Sequence, residues 1–113
     1  MAIQVFHGKD WRAMSDERFG GAALNFPDDF HHVATVDIDD ADMAQVFPLT
    51  NTITHGWWKN EGVTAHFDSP AFFEVEERPG VKGTRSTSVG DRIRLSDGRV
   101  FKCAPFGWDE VTA

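Results

Sequence analysis

The chain has 113 residues and a formal net charge of −7, from 18 acidic and 11 basic side chains, enough polypeptide for a single domain spanning residues 1–113 with its own core. Leu, Ile, Val and Phe make up about a quarter of it, above the range of apolar-poor disordered chains, and no apolar run approaches the ~20 residues of a membrane-spanning helix. The single cysteine, Cys103, excludes an internal disulfide and a thiolate zinc cluster. No basic leader runs into an apolar stretch at the N-terminus, so a reducing, cytoplasmic setting without membrane association is expected.

In chain order, Ile3–Phe6 alternates and reads as a first strand. Residues 8–29 are mixed, with Gly20-Gly21 and Phe26-Pro27-Asp28-Asp29 marking turns; an irregular stretch is expected, with a short helix around Arg12–Arg18. Phe30–Ile38 is rich in β-branched and aromatic residues and reads as a second strand. Alternation would place Phe30, His32, Ala34, Val36 and Ile38 on one face, and His31, Val33, Thr35 and Asp37 on the other.

Asp39, Asp40 and Asp42 follow as a helix start, because a short carboxylate caps free N–H groups and negative charge suits a helix N-terminus. Met43, Val46, Phe47, Thr50 and Ile53 recur at spacings of three and four, one stripe of a main helix at about residues 40–53. Pro48 removes a backbone donor inside it, so a kink or an early end is expected. Gly56 closes the segment before Trp57-Trp58, and the remainder reads as strands over Val63–Phe67, Ala71–Glu76, Asp91–Leu95 and Arg99–Ala104.

The last hairpin is decided by register. A two-residue Asp97-Gly98 turn would put Phe101 and Cys103 on the face of Arg92 and Arg94. A three-residue loop, Ser96-Asp97-Gly98, with Gly98 left-handed, pairs Ile93 with Phe101 instead and puts Ile93, Leu95, Phe101 and Cys103 together inside. A one-residue slip inverts every side chain, so the apolar pattern selects the three-residue loop, with Arg92, Arg94, Val100 and Lys102 facing outward. The expected fold class is α+β: a compact antiparallel sheet, open or curled into a small barrel, with one main helix.

Leu49-Thr50-Asn51-Thr52-Ile53 followed by Trp57-Trp58-Lys59-Asn60-Glu61 resembles a pattern in small uncharacterised proteins of bacteriophages, plasmids and related mobile elements. So does Arg85-Ser86-Thr87-Ser88-Val89-Gly90-Asp91, followed by a glycine-centred turn and a terminal aromatic near Gly107. With Phe30–Ile38, the resemblance spans roughly residues 30–111. It implies a shared small fold and a mobile-element origin, and carries no activity or functional residues.

Charge is divided unevenly along the chain. Residues 1–77 hold 14 acids against four bases, and residues 78–113 four acids against seven bases, an asymmetry that suits two faces with different partners. A duplex-DNA binder is disfavoured, because phosphate affinity rests on a basic footprint that the whole chain lacks.

Catalytic signals are sparse. His31 and His32, adjacent in a strand, point to opposite faces, and His66 with Asp68 makes only a two-ligand pair, so no metal site and no cofactor are expected. Glu74 and Glu76 share a strand face as a solvated edge rather than an acid/base pair. Ser86 and Ser88 have no neighbouring histidine, and Gly20-Gly21 lacks the spacing and lysine of a phosphate loop.

The expected function is therefore a non-enzymatic, acidic binding protein. It would occupy a host or phage protein through Asp39, Asp40 and Asp42 and the Trp57-Trp58 pair, as an anti-defence factor or a mimic of nucleic-acid charge. The alternative is a single-stranded nucleic-acid module that uses Arg92, Arg94, Lys102 and an exposed tryptophan. A small metal-dependent hydrolase built on His66 and Asp68 ranks last.

Overall fold

The computed structural model describes residues 2–52, 56–75 and 78–111. Ile53 and Glu76, which entered the readings above, lie outside them.

Strand β1 (Ile3–Gly8) is the centre of the fold. It pairs on one side with β2 (Phe30–Val36) and on the other with β6 (Arg92–Arg94), so segments far apart in sequence flank it. Strands β3 (Val63–Ala65), β7 (Val100–Ala104) and β8 (Gly107–Val111) complete a six-stranded antiparallel sheet in the order β3-β2-β1-β6-β7-β8. A separate ribbon joins β4 (Phe73–Val75) to β5 (Arg78–Gly83). The sheet does not close into a barrel: β3 and β8 are its edges. Helical turns and Trp57, rather than further strands, cover its inner face.

The β6–β7 hairpin takes the three-residue loop. Ile93 pairs with Phe101, the Leu95 N–H donates to the Arg99 carbonyl at 2.9 Å, and Gly98 has φ +93°. Ile93, Leu95, Phe101 and Cys103 join Ile3, Val5, Ala34, Val36, Val46 and Trp57 in the inner core. The outward placement of Arg92 and Val100 needs correction, because both are buried. The opposite face of the sheet has its own cover: Phe26 packs edge-on against Phe6 at 4.7 Å, and Glu17 reaches Arg92. The segment between α1 (Trp11–Arg18) and β2 thus makes a second apolar layer with Phe6 and Phe30.

The alternation expected for β2 also breaks. Val5 pairs with Ala34 but Phe6 with His32, so Val33 is an extra residue in a bulge. Phe30 and His32 therefore lie on the Phe6 face, and Ala34 and Val36 on the inner face with Val5 and Ile3. Val33 itself is fully buried.

The predicted 40–53 helix is present as two short pieces. A 3-10 turn, Asp40–Gln45, has non-helical backbone at Asp42 and runs into α2 (Val46–Leu49). Pro48 is the third residue of α2, where its missing N–H is one that the first turn leaves without an intrahelical partner anyway. The longest helix is α1, capped by Asp10, whose carboxylate accepts from the N–H groups of Arg12 (2.9 Å) and Ala13 (3.2 Å) and whose one buried residue is Met14.

Candidate functional site

The antiparallel order gives the sheet two chemically different ends. At one, β2 and β6 finish and β3 and β7 begin. Here Asp37, Asp39, Asp42 and Asp97 are exposed, and the Asp37 N–H donates to the carbonyl of Gly62, next to the exposed Glu61. Asp97 is paired with Arg99 at 2.7 Å. No aspartate side chain caps the 3-10 turn at Asp39. Asp40 instead accepts from the Ser96 N–H (2.9 Å) and hydroxyl (2.6 Å), bonds that hold its carboxyl below the usual range and tie the turn to the β6–β7 loop. Asp40 is thus a tether between the turn and the loop.

Trp57 cannot serve as a contact residue, since it is fully buried and its indole N–H donates to the Arg85 carbonyl at 3.0 Å. Trp58 is half-buried against the core, edge-on to Trp57 at 5.9 Å. Gly83 faces its ring so closely that a Cβ there would lie 2.6 Å from it.

The three basic residues assigned to nucleic acid are separated by their partners. Arg92 is 4% exposed, ion-paired with Glu17 at 2.9 Å and stacked over Phe30 at 4.9 Å. It is a core cation, not a phosphate ligand. Arg94 donates to the Gln4 side-chain oxygen at 2.7 Å and lies over Phe6 and Phe26. Lys102 stays half-exposed beside a groove of about 700 Å³ whose lining also includes Glu17, Asp28 and Glu110. Carboxylates outnumber cations there, which opposes phosphate binding.

His66 accepts or donates at the Thr35 hydroxyl (2.9 Å) and packs on His32 at 4.3 Å, while Asp68 is exposed. His32 stacks on Phe6, and burial, then the neighbouring His66, lowers its pKa. Among the described residues, no three of His, Cys, Asp and Glu converge on a point that could hold a metal ion.

The opposite end of the sheet holds the most elaborate polar arrangement. Asp91, fully buried just before β6, accepts from four donors: the Gly8 N–H (2.9 Å), the Ser88 N–H (2.7 Å) and both terminal nitrogens of Arg85 (2.6 and 2.7 Å). Arg85 in turn lies over the Trp11 ring at 4.7 Å. Beside this pair, His7 Nε2 is 2.9 Å from the Thr87 hydroxyl, which is 2.7 Å from the Thr50 hydroxyl. With the Thr50 proton on the Val46 carbonyl (2.7 Å), Thr87 donates to Thr50 and His7 Nε2–H donates to Thr87. His7 Nδ1 is buried with no hydrogen-bond partner among the described residues. Burial drives the His7 pKa down to about 4, against the pull of Asp91.

This is not nucleophile-activating geometry. A catalytic histidine bonds its nucleophile through one ring nitrogen and its orienting carboxylate through the other. Here Thr87 and Asp91 both approach Nε2, at 2.9 and 3.9 Å. Thr87 is 2% exposed as well. The network acts as a strut that fixes the 85–91 segment against β1.

Comparison of the chain with protein families, with curated proteins and with solved structures finds no match. Functional assignment therefore rests on the chain's own chemistry.

Above the strut lies a groove of about 850 Å³ between α1, α2, the 87–89 segment and the β7–β8 turn. Trp11 and Phe47 stand at it with 61% and 42% of their surface exposed, and Met14, Val89 and Pro105 also line it. Sequence reasoning missed this site. Two signals were present: His7 continues the inward period of Ile3 and Val5, and Trp11 is a lone large aromatic directly after a capping aspartate.

Proposed function

We propose that the protein is a non-enzymatic binding protein that docks a basic partner protein through the acidic end of its sheet. The observation that carries this reading is the gathering of Asp37, Asp39, Asp42 and Glu61, all exposed, where β2 ends and β3 begins. Like charge at one pole, with none of these four carboxylates in an ion pair among the described residues, accelerates encounter with a positively charged surface and sets orientation. The mobile-element resemblance extends the reading to an anti-defence role, with the acidic pole filling a basic nucleic-acid channel of a host or phage protein. Asp39 and Asp42 carry the steering role, since Asp40 is committed to Ser96.

The test is affinity capture from host lysate at low and high salt, with wild-type protein and an Asp39→Asn/Asp42→Asn variant, bound proteins being identified by mass. The reading expects a basic protein retained by the wild type at low salt and lost with the variant. Equal capture by both at every salt concentration would overturn it.

A further inference from the structure

We propose that the groove at the opposite end of the sheet binds a small amphipathic anion: a flat apolar body carrying a carboxylate or sulfonate. The site stands apart from the acidic pole, and the proposal does not rest on the function assigned to that pole. Its volume, about 850 Å³, lies within the roughly 300–1,000 Å³ of small-molecule sites. In a chain with 18 acids and 11 bases, the charged residues that line this groove among the described residues are Arg12 and Arg18, with no carboxylate among them. Both are exposed, and among the described residues neither is in an ion pair. The apolar walls come from different parts of the fold, Trp11 and Met14 from α1, Phe47 from α2 and Pro105 from the β7–β8 turn. Two large aromatics with much of their surface in water are costly unless something covers them.

Trp11 is also held in place. Its ring rests on Arg85, which is fixed in two bonds by the buried Asp91 carboxylate. An indole positioned in advance loses little freedom when a ligand ring stacks on it. The apolar body would pack between Trp11 and Phe47, and its anionic group would meet Arg12 and Arg18 at the rim. With no carboxylate among the described lining residues, the charge preference is one-sided.

Two fluorescent probes separate the apolar and ionic contributions: anilinonaphthalene sulfonate, and N-phenylnaphthylamine, the same ring system without the sulfonate. Both are titrated into the folded wild-type protein. The expected result is saturable binding at one site per chain, tighter for the sulfonate. Arg12→Gln with Arg18→Gln weakens the sulfonate by about fivefold and leaves the neutral probe within about twofold, as two exposed ion pairs would. Trp11→Ala and, from the other wall, Phe47→Ala each weaken both probes by about tenfold or more. Circular dichroism confirms the fold of each variant, and Phe47→Ala keeps the test open should Trp11→Ala unfold. No saturable binding, equal affinity for the two probes, or binding indifferent to Trp11 and Phe47 would each overturn the proposal.

Discussion

Arg85 lays both terminal nitrogens of its guanidinium on the Asp91 carboxylate, at 2.6 and 2.7 Å. The two partners are unequally placed: the Arg85 side chain is 31% exposed and the Asp91 side chain is fully buried. Asp91 is thus the hub, and its loss strands the N–H groups of Gly8 and Ser88 along with the guanidinium.

Asp91→Ala should therefore destabilise the fold by about 3–5 kcal/mol, the range for breaking a buried, hydrogen-bonded ion pair. Arg85 would lose the grip that holds it under Trp11, so Trp11 becomes more mobile. Chemical denaturation gives the first effect, and Trp11 fluorescence anisotropy, read in a background with the other tryptophans replaced by Phe, the second. A loss below about 1 kcal/mol would demote the strut to a surface pair.

His7 supplies a pH dependence whose sign is fixed. Its folded pKa of about 4 lies below the ordinary 6.5, so protonation favours the unfolded chain. The neutral ring's contribution is complete above about pH 6.5 and is lost as the pH falls toward 4, to a limit of about 3 kcal/mol at ~1.4 kcal/mol per unit. Stability measured from pH 7 to pH 4 should show this acid limb in the wild type. His7→Gln should lower stability at pH 7 and flatten the limb. An unchanged slope in the variant would place the acid sensitivity elsewhere.

The β6–β7 register predicts an order of core losses. Phe101→Ala should cost about 3–5 kcal/mol. Val100, which alternation alone assigns to solvent, is 3% exposed on the other face, so Val100→Ala should cost about 2 kcal/mol rather than nothing. Denaturant melts of the two variants check both the register and the second apolar layer.

Once a partner is in hand, Asp39→Asn with Asp42→Asn should slow association by about threefold to tenfold at low salt. The difference should vanish as salt screens charges beyond about 8–10 Å, with dissociation unchanged. Stopped-flow mixing at two ionic strengths measures this, and identical rates at low salt would remove the steering role.

What was legible in the residues follows from how local the deciding physics is. The β6–β7 loop was readable because two registers a residue apart gave opposite apolar faces, and only one of them buried Phe101 with Ile93. The bulge at Val33 was not, because an extra residue leaves no mark in a run of β-branched and aromatic side chains. Strand β5 was hidden by Pro79-Gly80, a pair that ordinarily marks a turn; proline is tolerated in an edge ribbon of this kind. The basic face failed for a longer-range reason. Arg92 meets Glu17, 75 residues earlier, and no periodicity within the hairpin reports that a distant segment folds over it. The groove assembles likewise from α1, α2 and the β7–β8 turn, each unremarkable alone.

The placement of β1 bears on how the chain comes off the ribosome. β2 reaches β1 through a short excursion, so one flank can form early in synthesis. The other flank waits for Arg92–Arg94, and Gly8 waits equally long for the Asp91 carboxylate, 83 positions downstream. Until then a strand that will end at the centre of the sheet carries a bare hydrogen-bonding edge. Completion of the fold is thereby tied to the arrival of residues 91–94, and such distant pairing makes for slow closure.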